Sequence, residues 1–190
     1  MPRGSLADLA RPSAMPQAIL YDLTLALGGS LCVALLAQIA IPITGSPVPV
    51  TGQTLGVLLV GATLGSTRGM LSLLFYLAEG SLGLPVFAGG GVFVPATAGY
   101  LVGFVAAAGC VGTLTERGWD RHVGSTLLAM MLGTLCIFAC GILYLSTQLG
   151  WSAALAQGFT PFIPGAFIKI TLAGLLLPTI WRLLRIPRSL

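Results

Sequence analysis

Glu79 and Lys169 are ionisable residues in stretches that are otherwise apolar, and chemistry is to be sought there first. A charge inside a membrane segment costs roughly 2.5 to 3.5 kcal/mol, so one that is present is a functional residue by default. Lys169 follows Phe162-Ile-Pro-Gly165 by about one helical turn. Pro164 suits the first positions of a helix, whose free N–H groups point outward, and a cation beside such a terminus makes an anion pocket. The competing reading is that Lys169 snorkels to an outer interface roughly 7 Å away at 1.5 Å per residue. Three placements of Glu79 stay open: paired with Lys169, facing the loop that follows it, or at the outer interface.

Gln53, Thr51 and Tyr100 flank the loops near these two charges. With Phe87 and Phe93 they can line a small pocket that has an apolar body and few polar contacts. Tyr100 fits an interfacial aromatic belt equally well. Bond-making chemistry has little support. The single histidine, His122, stands in a charged loop beside Asp120 and Arg121, which rules out a multi-histidine metal site. Cys32, Cys110, Cys136 and Cys140 lie in apolar segments without zinc-site spacing and read as small hydrophobes. No phosphate-binding loop with its lysine occurs, and Gly89-Gly-Gly91 lacks the strand-to-helix setting of a nucleotide site. The expectation is a binding protein without metal or cofactor, and not an enzyme.

The elements that position these residues must be membrane helices. Of 190 residues, 56% are hydrophobic and 7% charged, against about a quarter charged in a soluble domain. About 20 apolar residues span a bilayer, so six spans with short loops use nearly the whole chain and leave no room for a catalytic domain. The predicted fold is an all-α integral membrane protein with an N-terminal tail over 1–22, a six-helix membrane domain over 23–181 and a basic tail over 182–190. Segment one runs from Leu23 to about Ile43. A proline-containing loop over 44–53 follows, then segment two from Thr54 to Thr67, a boundary at Arg68, and segment three from Gly69 to Leu84. Residues 85–95 are apolar but broken by glycine and proline, so their backbone must be buried in protein or line a cavity, as a re-entrant or lid-like element. Segment four covers about Thr97 to Thr113, segment five Val123 to about Gln148, and segment six runs from near Pro164 to Trp181. Segments two and three are short, so they either extend into the adjoining loops or sit in a thin part of the bundle.

Arg3, Arg11, Arg68, Arg117, Arg121, Arg182, Arg185 and Arg188 all fall at the tail-side ends of these segments. The positive-inside rule then places both termini in the cytoplasm of a multi-pass cell-membrane protein. The scattered basic residues form no stripe, so nucleic acid is not an expected partner. Gly61 with Gly65, and Gly99 with Gly103, read as close helix packing. The ladder Ala26, Ser30, Ala34 fits packing or another subunit.

Four stretches carry a family likeness: Pro47-Val-Pro-Val-Thr-Gly-Gln-Thr-Leu55, Gly83-Leu-Pro-Val-Phe-Ala-Gly-Gly90, Gly99-Tyr-Leu-Val-Gly-Phe104, and Pro161-Phe-Ile-Pro-Gly165 followed by Lys169. In this order, and over about residues 23 to 181, they resemble the biotin-specific substrate-capture (S) subunits of energy-coupling-factor (ECF) transporters, the BioY family. The resemblance implies six helices, a biotin site at the outer face, and separate partners: a coupling membrane subunit and two ATPase subunits. It further implies that Lys169 meets the ligand, that Gln53, Tyr100 and Phe87, Ala88, Gly89 and Gly90 form the pocket, and that the stripe Ala26, Ser30, Ala34 contacts the coupling subunit. The chain departs from the family pattern at Ala166, where an acid usually precedes the lysine by three residues, and at Val94-Pro-Ala-Thr-Ala-Gly99. It also contains no asparagine. Carboxylate capture is therefore better supported than recognition of the ureido ring. An S subunit for another small vitamin, a membrane scaffold and an intramembrane enzyme are the alternatives.

Overall fold

The computed structural model describes residues 4–91 and 93–184. Arg3, Arg185 and Arg188 lie outside the described residues. The chain is helical almost throughout: α1 (Met15–Ala37), α2 (Gln53–Leu64), α3 (Ser66–Ser81), α4 (Ala98–Glu116), α5 (Val123–Leu149), the short α6 (Trp151–Gly158) and α7 (Ile163–Leu183). α1 to α5 and α7 form the expected six-helix bundle, and α6 connects the last two. Met15–Ala37, Pro95–Glu116, Val123–Leu149 and Trp151–Leu183 are long and apolar enough to cross a membrane.

α2 and α3 are not. With 12 and 16 residues they reach about 18 and 24 Å, against a hydrocarbon core of about 30 Å. They do not gain length from their loops. Gly65 alone joins them, at a φ of 87° that a side chain would strain, so it is the turn of a tight helical hairpin as well as a close-packing residue, a Cβ there lying 2.6 Å from Glu116 Oε1 of α4. Gly61 also serves packing, because a Cβ there would lie 2.9 Å from Ala108 Cα on α4. Gly103 does the same against α5, 3.0 Å from Ile137 Cα. Since α2 and α3 meet at the tail end, both stop short at the opposite end. The missing depth is filled there by irregular chain, which is where a cavity opens.

The tail end is tied together by the charges. The Arg68 guanidinium bonds to Asp22 at 2.7 Å and to Asp8 at 2.8 Å, and Asp22 also holds Arg11 at 2.7 Å. The Glu116 carboxylate, from the last turn of α4, accepts from Ser66 N at 2.7 Å and so caps α3 from another helix. Trp181 Nε1 donates to buried Asp120, and the Arg121 guanidinium lies 4.8 Å from the Trp181 ring centre. Every described arginine thus sits at one end of the bundle.

Several boundaries differ from the sequence expectation: α1, α2 and α3 end at Ala37, Leu64 and Ser81, short of Ile43, Thr67 and Leu84. α1 begins at Met15 rather than Leu23, with Pro16 in its first turn, because Asp22 is neutralised by two arginines and does not end the helix. α3 begins before Arg68, which is buried against its two acids and therefore marks no boundary. The loop after α1 is not wholly irregular: Ala40–Ile41 (β1) pairs antiparallel with Val50–Thr51 (β2), making a small hairpin over the bundle.

Candidate functional site

At the end opposite the arginines, a cavity is enclosed by the β1–β2 hairpin, the first turns of α2, the loop after α3, and the facing sides of α4, α5 and α7. Its walls are mostly apolar, with Val48, Leu58, Phe87, Phe104, Ile137 and Phe162 among them. The polar groups are concentrated where α7 meets α2. Lys169 Nζ donates to Thr51 O at 2.5 Å and to Thr54 Oγ1 at 2.7 Å. An ammonium has three donors, so one is left for a ligand. Lys169 is therefore not snorkelling to an interface. It is turned inward against the N-terminus of α2, two turns inside its own helix, so the helix terminus beside the cation belongs to α2 and not to α7. The Gln53 and Thr54 N–H groups, in the first turn of α2, lie beyond the intrahelical ladder, and their partial positive charge adds to that of the lysine.

A second chain of bonds runs behind this corner. Thr51 Oγ1 donates to Gln53 Oε1 at 2.8 Å, Gln53 Nε2 to Tyr76 OH at 2.5 Å, and Tyr76 OH to Val86 O at 3.0 Å. Phe87 follows Val86 and is buried, its ring edge-on to Tyr76 with centres 5.4 Å apart. The space for it exists because residue 80 is glycine: a Cβ there would overlap the Phe87 ring. Within the 85–95 stretch, residues 85–91 carry one buried aromatic that lines the cavity, Phe87, and a glycine turn at positive φ through Gly89 and Gly90.

The structure brings Lys169, Thr51, Gln53, Phe87, Ala88, Tyr100 and Ala166 to one cavity. Tyr100 offers its ring rather than its hydroxyl, which donates to Gly158 O at 2.8 Å while the ring stacks on Phe162. Gly89 and Gly90 do not line the cavity but lie against Ala40 of β1 and against Gln38, just past the end of α1. Glu79 is also elsewhere, and it does not pair with Lys169. Ser30 Oγ donates to its carboxylate at 2.5 Å, joining α3 to α1. Of the two readings of Ala26, Ser30 and Ala34, packing and a partner contact, burial favours packing. Ala26 and Ser30 are wholly buried and Ala34 is nearly so, so the stripe is an internal contact that lets α1 approach α3 closely. The outward face of α1 carries Leu23, Leu27, Leu31 and Leu35 instead.

Thr54, Phe162 and Tyr76 were passed over in the sequence. Thr54 and Phe162 stand inside the quoted motifs, and Tyr76 was legible from Arg68, Ser72 and Tyr76 recurring every four residues along α3, a polar row in an apolar helix and buried throughout.

The BioY family matches residues 10–186. The chain belongs to the BioY family. Among curated relatives, the biotin transporter BioY of Rhizobium etli is 41% identical over 68% of this chain and 76% of its own length. Those of Rhodobacter capsulatus and Lactococcus lactis, the latter named BioY2, are 40% and 39% identical. They cover 80% and 83% of this chain, and 87% and 90% of their own. A solved structure, described as the S-component for biotin from an ECF-type ABC transporter, superposes with a TM-score of 0.74 at 24% identity, over 86% of this chain and 92% of that one. That likeness places the BioY-family chain here in the S-component fold. The family is one of membrane transporters and not of enzymes.

Proposed function

We propose that this protein is the biotin-capturing membrane subunit of an ECF-type vitamin transporter in the cell membrane, working with a coupling membrane subunit and two ATPase subunits. The observation that carries the reading is Lys169, an inward-turned ammonium with a donor to spare at the polar corner of an otherwise apolar, lidded cavity. Such a corner suits a carboxylate, and the aromatic and aliphatic walls suit the rest of a small, mostly apolar vitamin. Thr54 strengthens the corner: its oxygen already accepts from Lys169, so its proton is free to donate to the ligand. Thr51, Gln53, Phe87, Ala88, Tyr100 and Ala166 complete the proposed pocket. Because Ala166 lines it one turn from Lys169, no acid is available at that point and the head group must be recognised by Thr51 and its neighbours. Equilibrium binding of radiolabelled biotin to the purified protein tests the reading directly. A scaffold would not bind, and an S subunit for another vitamin would release biotin to that competitor.

The hairpin is the proposed outer lid. The single Ser46 hydroxyl proton is shared between Gln157 O at 2.8 Å, at the end of α6, and Val48 O at 2.9 Å, within the hairpin, so it links the hairpin tip to α6. Ser46→Ala removes that tie at a cost of about 0.5 to 1.5 kcal/mol, which corresponds to roughly a two- to tenfold faster release of bound biotin in a washout experiment. An unchanged release rate would show that the lid is held elsewhere. The placement of the arginines at one end supports a cytoplasmic position for both termini: fusion tags on either terminus are expected to report from the cytoplasm, and a reporter active outside would reverse the assignment.

A further inference from the structure

Tyr76 touches none of the cavity, yet the bonds it makes fix what the cavity wall presents. It is fully buried, and its hydroxyl lies 3.0 Å from Val86 O and 2.5 Å from Gln53 Nε2. A backbone carbonyl can only accept, so the single Tyr76 proton goes to Val86 O. The phenol oxygen must then accept from Gln53, which obliges Gln53 to turn its amide nitrogen toward Tyr76 and its carbonyl toward Thr51. The Thr51 proton is in turn used on Gln53 Oε1, 2.8 Å away. Every proton along the chain is directed by one fixed acceptor. At its end Thr51 Oγ1 has only lone pairs left for the cavity, while Thr54, on the other side of Lys169, has a proton left.

The geometry points to Tyr76 as a positioning residue for ligand recognition: its directed bond chain makes Thr51 an acceptor for a ligand N–H or O–H group, and couples that corner to the Val86–Phe87 lid. This rests on the reading that the cavity binds biotin. The chain spans both covers of the site, since Thr51 belongs to the β1–β2 hairpin and Val86 precedes the aromatic plug. Without the Tyr76 hydroxyl, the Gln53 amide is free to turn over, Thr51 is free to donate or accept, and Val86 O loses its partner. The ring and its edge contact with Phe87 remain in Tyr76→Phe.

The test is a double-mutant cycle on the purified protein, read as biotin dissociation constants for wild type, Tyr76→Phe, Gln53→Ala and the double variant. Tyr76→Phe is expected to weaken binding about tenfold, and the double variant to bind no worse than Gln53→Ala alone. Wild-type affinity in Tyr76→Phe, or losses that multiply in the double variant, would overturn the relay, the second result leaving Tyr76 as a packing residue. Thr51→Val supplies an independent cycle from the other end of the chain should Tyr76→Phe fail to fold: combined with Gln53→Ala it too must be non-additive, and additivity there overturns the proposal. A wild-type protein that binds no biotin overturns the reading beneath it, an outcome distinct from a relay that fails in a protein that binds.

Discussion

Lys169→Ala is expected to weaken biotin binding by roughly 2 to 5 kcal/mol, since truncating one partner of a buried, hydrogen-bonded charge pair leaves the other charge without compensation. That corresponds to a dissociation constant raised from about 30-fold to several thousand-fold. The size of the loss alone does not identify the cause, because Lys169 also ties α7 to Thr51 O and Thr54 Oγ1, and the variant loses those bonds too. A neutral biotin amide separates the two contributions. Having no carboxylate, it keeps whatever the walls provide but not the ion pair. The wild-type protein is expected to prefer the acid strongly, and the alanine variant to bind acid and amide with similar, weak affinity. A variant that retained the wild-type preference would place the anion contact elsewhere, and Lys169 would be a strut between α7 and α2.

The site was legible in the sequence to the extent that its residues sit in motifs of unusual composition. A lysine in an apolar helix, a proline-rich loop ending in Thr51-Gly-Gln53 and a glycine-rich run around Phe87 each violate what lipid-facing chain requires, so each announced a buried use. What could not be read was which helix terminus lies beside the lysine. Lys169 and Thr54 are separated by 115 residues, and only the packing of α7 on α2 shows that the cation faces α2. The relay through Tyr76 was hidden for the same reason, its bonds crossing from α2 to α3 and on to the following loop.

The fold shows the complementary pattern. Long apolar runs gave the helices, because membrane segments leave the backbone no other way to satisfy its bonds. Two of the errors fell where a charge was taken for the end of a segment. Arg68 was read as a boundary and residue 22 as the end of the tail, yet Arg68 and Asp22 are partners of one another, and a neutralised pair sits comfortably inside helices. A sequence lists charges singly, and their pairing is a property of the folded chain.

The stripe on α1 supports an expectation as large as that for Lys169. Ser30 is wholly buried, and its hydroxyl donates to Glu79 at 2.5 Å. Ser30→Leu therefore does two things at once. It forces three additional carbon atoms into a closed helix interface, where overpacking costs about 1 to 3 kcal/mol. It also removes a hydrogen bond to a carboxylate, worth about 1.5 to 3 kcal/mol. The expected result is a protein with a much lowered melting temperature in detergent, and with ligand binding lost alongside stability, because α3 carries Tyr76 and leads into the Phe87 lid. Ser30→Ala keeps the space and loses only the bond, so it should fall between wild type and leucine. Leu27→Ala, on the outward face of the same helix, should leave melting and binding near wild type, and this contrast makes the test specific to the buried side. If Ser30→Leu melted and bound like wild type but abolished uptake, the stripe would be a surface for the coupling subunit after all, and the packing of α1 on α3 described above would be wrong.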